Sequence, residues 1–442
     1  MARKLEGLQF PATADSLADD EQDCYLPGCT GALVRTTMEM MEMEVHGMTE
    51  PSQTRRLPGP SRRAESIEPF YVMQILARAK ALEAAGRDIV HMEVGEPDFD
   101  TPQPIVEAGR RALAEGRVHY TAAVGIEPLR EAVAGYYASR YGVSVPPRRI
   151  VITPGATGGL QLVLAALLEA GDELLLTDPG YPCNRHYVRL FDATPRLVPV
   201  GPEQGYQFDR PTLERSWTHQ TKALLAASPA NPTGALLSNE RLAEIHAFAT
   251  THGGRLILDE IYHGLVYDEY PQTALSLGDD VFVINSFSKY FGMTGWRIGW
   301  IVVPEDFVEV VDRLAQNMVL AVSTPAQYAA LAAFEPGTIA ILEERREAFR
   351  RRRDFLVPGL ERLGFEIPVM PQGAFYVYAD ASELGDDSFA LAQRFLEEAG
   401  VAATPQADFS EQLPSRHIRF AYTTSVERLA EGLTRMERLL GR

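Results

Sequence analysis

The segment N-S-F-S-K-Y-F-G-M-T-G-W-R-I-G-W, residues 285–300, is the most informative stretch of this sequence. It sets one lysine, Lys289, and one arginine, Arg297, among apolar residues and glycines, with Ser286 and Ser288 just before the lysine. A lysine in apolar surroundings is easily held as the neutral amine, which attacks carbonyl carbons. Hydroxyl groups and a guanidinium fork suit an anionic phosphate. The segment therefore predicts a Schiff-base lysine beside a phosphate site; the alternative is two charges that cap a buried turn.

The composition of the 442 residues excludes several classes of protein. With 45% hydrophobic and 23% charged residues it is that of a globular, water-soluble protein of two or three domains. A net charge of −18 argues against a nucleic-acid partner, because phosphate backbones are bound mainly by Lys and Arg. The three cysteines are too few for a disulfide framework, and their odd number favours the cytoplasm. The uncharged run 150–168 contains a proline and three glycines, so it predicts a strand, a loop and a helix and no membrane partner.

Residues 1–63 differ from the rest of the chain. They hold a Met/Glu-rich tract and a Pro/Gly-rich tract but no sustained apolar period, which predicts a disordered tail or a mis-assigned start, with Met48 as the initiator. Cys24 and Cys29, together with His46, resemble half of a metal site. Because no second pair follows, we predict no metal.

The remaining chain alternates short apolar runs with helical patterns. The strand-like runs are R-I-V-I-T, D-E-L-L-L-T, K-A-L-L-A-A, R-L-I-L-D, V-F-V-I-N and W-R-I-G-W-I-V-V. Apolar strands separated by helices indicate a parallel sheet that is covered on both faces. After about residue 325 the chain turns to longer charged helices around a hairpin-like segment, residues 365–380. We predict a large domain at 99–324 and a small α+β domain made of 64–98 and 325–442.

Polar and small residues follow these strands, where ligands bind in open parallel sheets. Gly155, Ala156 and Thr157 come after R-I-V-I-T, at the start of a helix. Small residues there let backbone N–H groups and the helix dipole approach a phosphate. A tight strand-to-helix turn explains the same pattern equally well.

Four more side chains stand at strand ends. Tyr181, in D-P-G-Y-P, could stack on a flat ring or simply pack. Asn231, in S-P-A-N-P-T-G, could donate to a phenolate or a carboxylate. Asp259 needs a cationic partner such as a protonated ring nitrogen, unless it caps the next helix. Tyr262 could hydrogen-bond an oxygen on the same ring.

Two candidates lie outside the predicted sheet, together with a hint about the substrate. Arg419, in H-I-R-F-A-Y, could hold a carboxylate bidentately. Gly95, in V-G-E-P-D-F, lets the backbone approach a ligand. Phe70 and Tyr71 hint at an apolar substrate pocket, although helix packing would also explain them.

Together these segments resemble the fold-type I pyridoxal-phosphate enzymes, specifically the class I/II, aspartate-aminotransferase-like family. The matching pieces run in order from about Ser66 to the C terminus: V-G-E-P-D-F, H-Y-T-A-A-V-G-I-E-P-L-R-E-A-V, T-P-G-A-T, D-P-G-Y-P, S-P-A-N-P-T-G, D-E-I-Y, S-F-S-K-Y-F-G-M-T-G-W-R-I-G, P-Q-G-A-F-Y and I-R-F-A-Y. The resemblance implies an α/β fold whose large domain is built on a mainly parallel seven-stranded sheet between helices, with a smaller α+β domain. It also implies pyridoxal 5'-phosphate as the cofactor.

The resemblance assigns roles to the candidates. Lys289 forms the Schiff base and moves the proton between the substrate Cα and the cofactor C4′. Asp259 pairs with the pyridine nitrogen, and Tyr181 stacks on the ring. The residues for the other contacts are Tyr262 and Asn231 for the ring 3-oxygen; Gly155, Ala156, Thr157, Ser286, Ser288 and Arg297 for the phosphate; and Arg419, Asn231 and the Gly95 backbone for the substrate α-carboxylate. Tyr120 resembles a tyrosine that reaches the phosphate of the neighbouring subunit, which implies a homodimer with shared active sites.

Three functions fit these residues. The first is an aminotransferase that passes an amino group from an α-amino acid to a 2-oxo acid in ping-pong half-reactions. The second is a C–S β-lyase, which would use the same residues. The third is a non-catalytic effector-binding module of the kind fused to DNA-binding domains. It is disfavoured because the chain is acidic and lacks a basic recognition helix.

Overall fold

The computed structural model describes residues 59–268, 271–412 and 415–441. The predictions for residues 1–58, including the initiator Met48 and the Cys24, Cys29 and His46 group, lie outside the described residues. The first helix of the described residues begins at Arg62, and the hydroxyl of its N-cap residue Ser61 accepts a hydrogen bond from the Ala64 N–H.

Helices occupy much of the described chain. Several have the expected ends: Ser238 and Ser425 cap their helices through the side chain, and Gly142 ends its helix in the left-handed region at φ +68°. The α-helices are α1 (Arg62–Glu65), α2 (Tyr71–Ala84), α3 (Gln103–Ala114), α4 (Glu127–Tyr141), α5 (Gly155–Leu167), α6 (Pro182–Leu190), α7 (Arg210–Ser216), α8 (Asn239–Thr251), α9 (Val308–Met318), α10 (Thr324–Leu331), α11 (Pro336–Arg362), α12 (Ser388–Arg394) and α13 (Val426–Leu440). None of these helices is long and apolar enough to cross a membrane.

The strands form one large sheet and two small ones. They are β1 (Val90–His91), β2 (Ile150–Thr153), β3 (Glu173–Asp178), β4 (Thr194–Pro199), β5 (Thr221–Ala227), β6 (Arg255–Asp259), β7 (Phe282–Ser286), β8 (Gly299–Val302), β9 (Tyr376–Asp380), β10 (Val401–Ala402), β11 (Thr404–Pro405) and β12 (His417–Ala421). The large sheet has the order β2-β8-β7-β6-β5-β3-β4. One strand, β8, runs in the opposite direction to the other six. The predicted α/β fold with a mainly parallel seven-stranded sheet is confirmed.

Alternate residues of the large sheet enter two separate apolar clusters. Leu175, Leu224 and Leu258 belong to one cluster, whereas Leu174 and Ile257 belong to the other. Because successive side chains of a strand point to opposite faces, the sheet is covered on both sides. Full burial of each leucine contributes roughly 2 kcal/mol. This covering explains the nearly continuous apolar runs and fixes the strand ends that carry the polar residues.

The small sheets join the beginning of the described chain to its end. Strand β1 pairs in parallel with β10, and β12 lies between β11 and β9 in an antiparallel sheet. In the hairpin-like segment 365–380, the two arms pair only at a bridge between Glu366 and Asp380, because β9 forms its strand pairing with β12. These pairings support the division into 99–324 and 64–98 with 325–442, which stays a prediction.

Candidate active site

The carboxyl ends of the parallel strands open into a cavity of about 320 Å³. Almost all of the predicted site residues line it: Gly95, Ala156, Thr157, Tyr181, Asn231, Asp259, Tyr262, Ser286, Ser288, Lys289, Arg297 and Arg419. Gly155 lies directly beside it, against Arg297. Tyr120 lies outside it and is 82% exposed. The sheet therefore brings together residues that are far apart in the sequence.

One end of the cavity is equipped to hold an anion. Helix α5 begins at Gly155, so the first N–H groups of α5 have no acceptor within the helix. The Ser286 hydroxyl donates to Ser288 Oγ at 2.9 Å, and Arg297 donates to Ser288 Oγ at 3.4 Å and to the Thr294 carbonyl at 3.0 Å. Helix dipole, hydroxyl groups and guanidinium thus converge on one region, as phosphate binding requires.

Gly155 is needed for this arrangement for two reasons. Its φ of +69° is a conformation that side chains disfavour. A Cβ atom at this position would also lie 2.7 Å from one terminal nitrogen of Arg297. The glycine therefore lets the guanidinium approach the start of α5.

Lys289 is a half-buried amine that does not carry a conventional salt bridge among the described residues. Its Nζ donates to the Gly95 carbonyl at 2.6 Å and lies 5.8 Å from the centre of the Phe375 ring. Burial lowers the pKa of Lys289 to about 8, although the negative charge of Glu96 opposes that shift. A substantial fraction of the amine is therefore neutral near physiological pH, as a nucleophile or general base requires.

Asp259 is the last residue of β6 and faces the same cavity. Its Oδ1 accepts the Ile261 N–H at 3.0 Å. Burial raises the pKa of Asp259 to about 6, and this hydrogen bond and the charge of Lys289 offset only part of the effect. A cationic ligand group would remove the cost of keeping this carboxylate charged.

The change Asp259→Asn should stabilise the protein in the absence of ligand. At pH 8 we expect the free energy of unfolding to rise by roughly 1–3 kcal/mol, because the amide keeps the contact with Ile261 but carries no buried charge. The folded state of the wild type, with its raised pKa, gains a proton as the pH falls through 6, so the wild type is stabilised and the gain shrinks at pH 5. Urea titrations at pH 8 and pH 5 measure both effects.

The matched control for this prediction is Asp386→Asn, because Asp386 is exposed. Its replacement should change the free energy of unfolding by less than about 0.5 kcal/mol at either pH. An Asp259→Asn protein that is less stable than the wild type at pH 8 would contradict the burial cost.

Tyr262 meets Tyr376, a residue of the site to which the sequence prediction assigned no role. The two hydroxyl oxygens are 3.0 Å apart, and Tyr376 also lines the cavity. A Cβ atom on Gly95 would lie 1.9 Å from the Tyr376 hydroxyl, so this glycine makes room for the pair. Burial raises the pKa of Tyr262 well above its usual value, which keeps its hydroxyl as a donor.

Arg419 is buried, with 2% of its surface exposed. It donates to Asn231 Oδ1 at 3.0 Å, to the Glu93 carbonyl and to Thr404 Oγ1 at 3.4 Å. Its Nε has no hydrogen-bond partner, and no carboxylate of the described residues forms a salt bridge with it. A buried cation without a counterion is costly, and a ligand carboxylate would satisfy it.

Sequence reasoning also missed Tyr187, Asn184 and Glu96, which line the cavity. Burial raises the pKa of Tyr187 to about 12. Asn184 and Tyr187 lie on the first two turns of α6, just after the D-P-G-Y-P turn, and neither belongs to a motif of the sequence analysis. Only their spacing of three residues, which puts them on the same helix face, could have indicated a shared environment.

Comparison with known proteins gives a consistent result. The family model described as aminotransferase class I and II matches residues 87–436. The (5-formylfuran-3-yl)methyl phosphate transaminase of Methanocaldococcus jannaschii is 36% identical over 385 residues, covering 86% of this chain and 100% of the relative. The aspartate/prephenate aminotransferase of Thermus thermophilus is 38% identical over 387 residues, covering 87% and 99%.

A solved structure agrees with these sequence relatives. The aspartate aminotransferase from Thermus thermophilus with maleate superposes with a TM-score of 0.82 at 37% identity, covering 87% of this chain and 100% of that chain. The resemblance predicted from the motifs is thereby confirmed. By its sequence and by its fold, the chain belongs to the family of class I and II aminotransferases.

Proposed function

We propose that this aminotransferase binds pyridoxal 5'-phosphate in the cavity and transfers an amino group from an α-amino acid to a 2-oxo acid in two half-reactions. The observation that carries the proposal is the placing of Lys289. Its amine, with a pKa lowered to about 8, shares one cavity with the anion-binding start of α5 and with the buried, uncompensated Arg419.

The residues present fit the cofactor. The N–H groups of Ala156 and Thr157, with Ser286, Ser288 and Arg297, would hold its phosphate. Asp259 would pair with the ring nitrogen, Tyr262 and Asn231 would bind the ring 3-oxygen, and Tyr181 would cover a ring face. When bound, pyridoxal phosphate supplies an electron sink for the substrate α-carbon.

The protein's own groups would perform the remaining work. Arg419, with Asn231 and the Gly95 backbone, binds the α-carboxylate and so fixes the direction of the bonds at the substrate Cα. Lys289 Nζ would then accept the proton from the substrate Cα and deliver it to the carbon on the other side of the substrate nitrogen, and its pKa of about 8 suits both transfers. Apolar lining residues such as Ile261 and Val94 keep water away from the reacting atoms.

We also propose that the protein is a cytoplasmic homodimer with shared active sites. Support comes from the H-Y-T segment, in which Tyr120 resembles a tyrosine that reaches the neighbouring subunit; its side chain is 82% exposed and so is accessible to a partner. The odd number of cysteines supports a reducing compartment.

The test is the visible absorption spectrum of the purified protein during titration with single amino acids, without an oxo acid. We expect a yellow band that bleaches with at least one donor and returns when a 2-oxo acid is added. Release of pyruvate and ammonia would instead identify a β-lyase. No feature of the described residues specifically favours that activity. A band that no amino acid changes would overturn the enzymatic proposal and favour an effector-binding module.

A further inference from the structure

The cations of the cavity all have a task under the proposed function. Among the described lining residues, the cationic side chains are Lys289, Arg297 and Arg419. Arg297 lies against Gly155 at the start of α5, among the donors proposed for the cofactor phosphate. Arg419 donates to Asn231 and is proposed to bind the α-carboxylate. Lys289 is the reacting amine. Within one subunit, no cation of the described lining is therefore left for a second carboxylate on the substrate.

The remaining charge on the lining would repel such a group. Glu96, an exposed residue next to Gly95, lines the cavity, and its negative charge acts on Lys289. A substrate whose side chain ends in a carboxylate would bring like charges together, which disfavours binding. An uncharged side chain meets no such penalty.

The N-cap residue and first turn of α2 provide an apolar wall. Phe70, Val72 and Met73 line the cavity together, and the Phe70 ring stands edge-on to Tyr181 with their centroids 6.3 Å apart. The carboxylate of Asp408 accepts the N–H groups of Tyr71 at 2.9 Å and Val72 at 3.2 Å. This carboxylate caps α2 from a distant part of the chain and so holds the wall in place.

Arg185 is the nearest alternative partner for a second carboxylate. It is buried and lines a neighbouring hollow of about 30 Å³, which shares Tyr181 and Asn231 with the cavity. Its guanidinium lies 3.7 Å from Glu68 and 4.0 Å from Glu411, a carboxylate that Arg189 also approaches at 4.0 Å. Because Arg185 lines this hollow and does not line the cavity, it is not placed to meet a substrate side chain that lies against Phe70 and Val72.

We infer that the amino donor has an uncharged, apolar side chain, aromatic or branched aliphatic, which packs against Phe70, Val72 and Met73. The inference rests on the proposed aminotransfer. Burial of apolar surface then supplies the binding free energy that an ion pair would give to an acidic substrate.

The first experiment measures kcat/KM of the holoenzyme for phenylalanine, leucine, valine, methionine, aspartate and glutamate. We expect the best apolar donor to exceed both acidic donors by about 100-fold. Aspartate or glutamate as the best donor would overturn the inference while leaving the aminotransfer proposal intact. Failure of the proposed function looks different, because then none of the amino acids would bleach the visible band.

Variants of the wall test the inference a second time. Phe70→Arg should lower the apolar-to-acidic ratio of kcat/KM at least about tenfold, because it puts a cation where apolar atoms stood. Phe70→Leu keeps an apolar side chain and is expected to disturb folding less than Phe70→Arg. It should keep the ratio above about tenfold in favour of apolar donors. Met370→Arg is the control, since Met370 is 46% exposed and does not line the cavity. An unchanged ratio in Phe70→Arg, with Met370→Arg also unchanged, would overturn the role of the wall.

Discussion

Replacing Lys289 with alanine should lower kcat by at least about a thousandfold, whichever amino acid proves to be the best donor. A positioned general base alone contributes about 10²- to 10⁴-fold, and this side chain would also act as the nucleophile. The structure offers no second amine, because Lys289 is the only lysine among the described residues that line the cavity. Steady-state rates and the rate of bleaching of the visible band in single half-reactions measure the loss.

The control for this variant is Lys222→Ala. Lys222 is a largely exposed residue of β5, 3.6 Å from Asp172, and its loss should leave kcat unchanged within about twofold. The Lys289→Ala protein should still take up pyridoxal phosphate, because the anion site at the start of α5 is intact. If this variant kept more than a tenth of the wild-type kcat, another residue would have to move the proton.

The second large effect is expected at Arg419. The change Arg419→Lys should reduce kcat/KM for α-amino acids by roughly 100-fold, chiefly through KM, because an ammonium group cannot replace a planar fork that spans two carboxylate oxygens. The guanidinium also lies 4.3 Å from the Tyr376 ring and 4.6 Å from the Phe409 ring, contacts that suit a flat cation. Initial rates over a range of donor concentrations separate KM from kcat.

Two observations keep this prediction independent of misfolding. The visible spectrum of the Arg419→Lys protein should match that of the wild type, since none of the groups proposed for the ring and the phosphate is changed. Arg416→Lys, at an exposed position of the same segment, should have a wild-type KM. A normal KM in Arg419→Lys would mean that a different group binds the α-carboxylate.

The residues of the site could be predicted because they stand at strand ends. Asp259 is the last residue of the buried strand β6, and Lys289 lies in the loop after β7, so their common edge of the sheet follows from the parallel topology. Strand β4 was missed because its burial is uneven and it contains two prolines, as an edge strand allows. The sequence pattern of a half-covered edge strand resembles that of a loop.

Contacts between distant segments were beyond sequence reasoning. In the sequence, Tyr376 is only an aromatic residue in a strand-like run, a pattern that is typical of packing. Its contact with Tyr262 depends on how β9 approaches the large sheet. Likewise, nothing in the sequence around Asp408 marks it as the cap of α2. Tyr120 depends on a second subunit, so no pattern within one chain can test its role.

The hydrogen bond between Arg419 and the Glu93 carbonyl has a consequence for synthesis, because 326 positions separate the two residues. A ribosome that adds about 5–20 residues per second needs on the order of 20–60 s to make the chain between them. For most of that time β1 has no β10 to pair with, and the amide groups of α2 have no Asp408. The large sheet can close earlier, since β8 ends at Val302. We therefore expect the nascent chain to fold the phosphate-binding region at the start of α5 well before Arg419 can bind a substrate carboxylate.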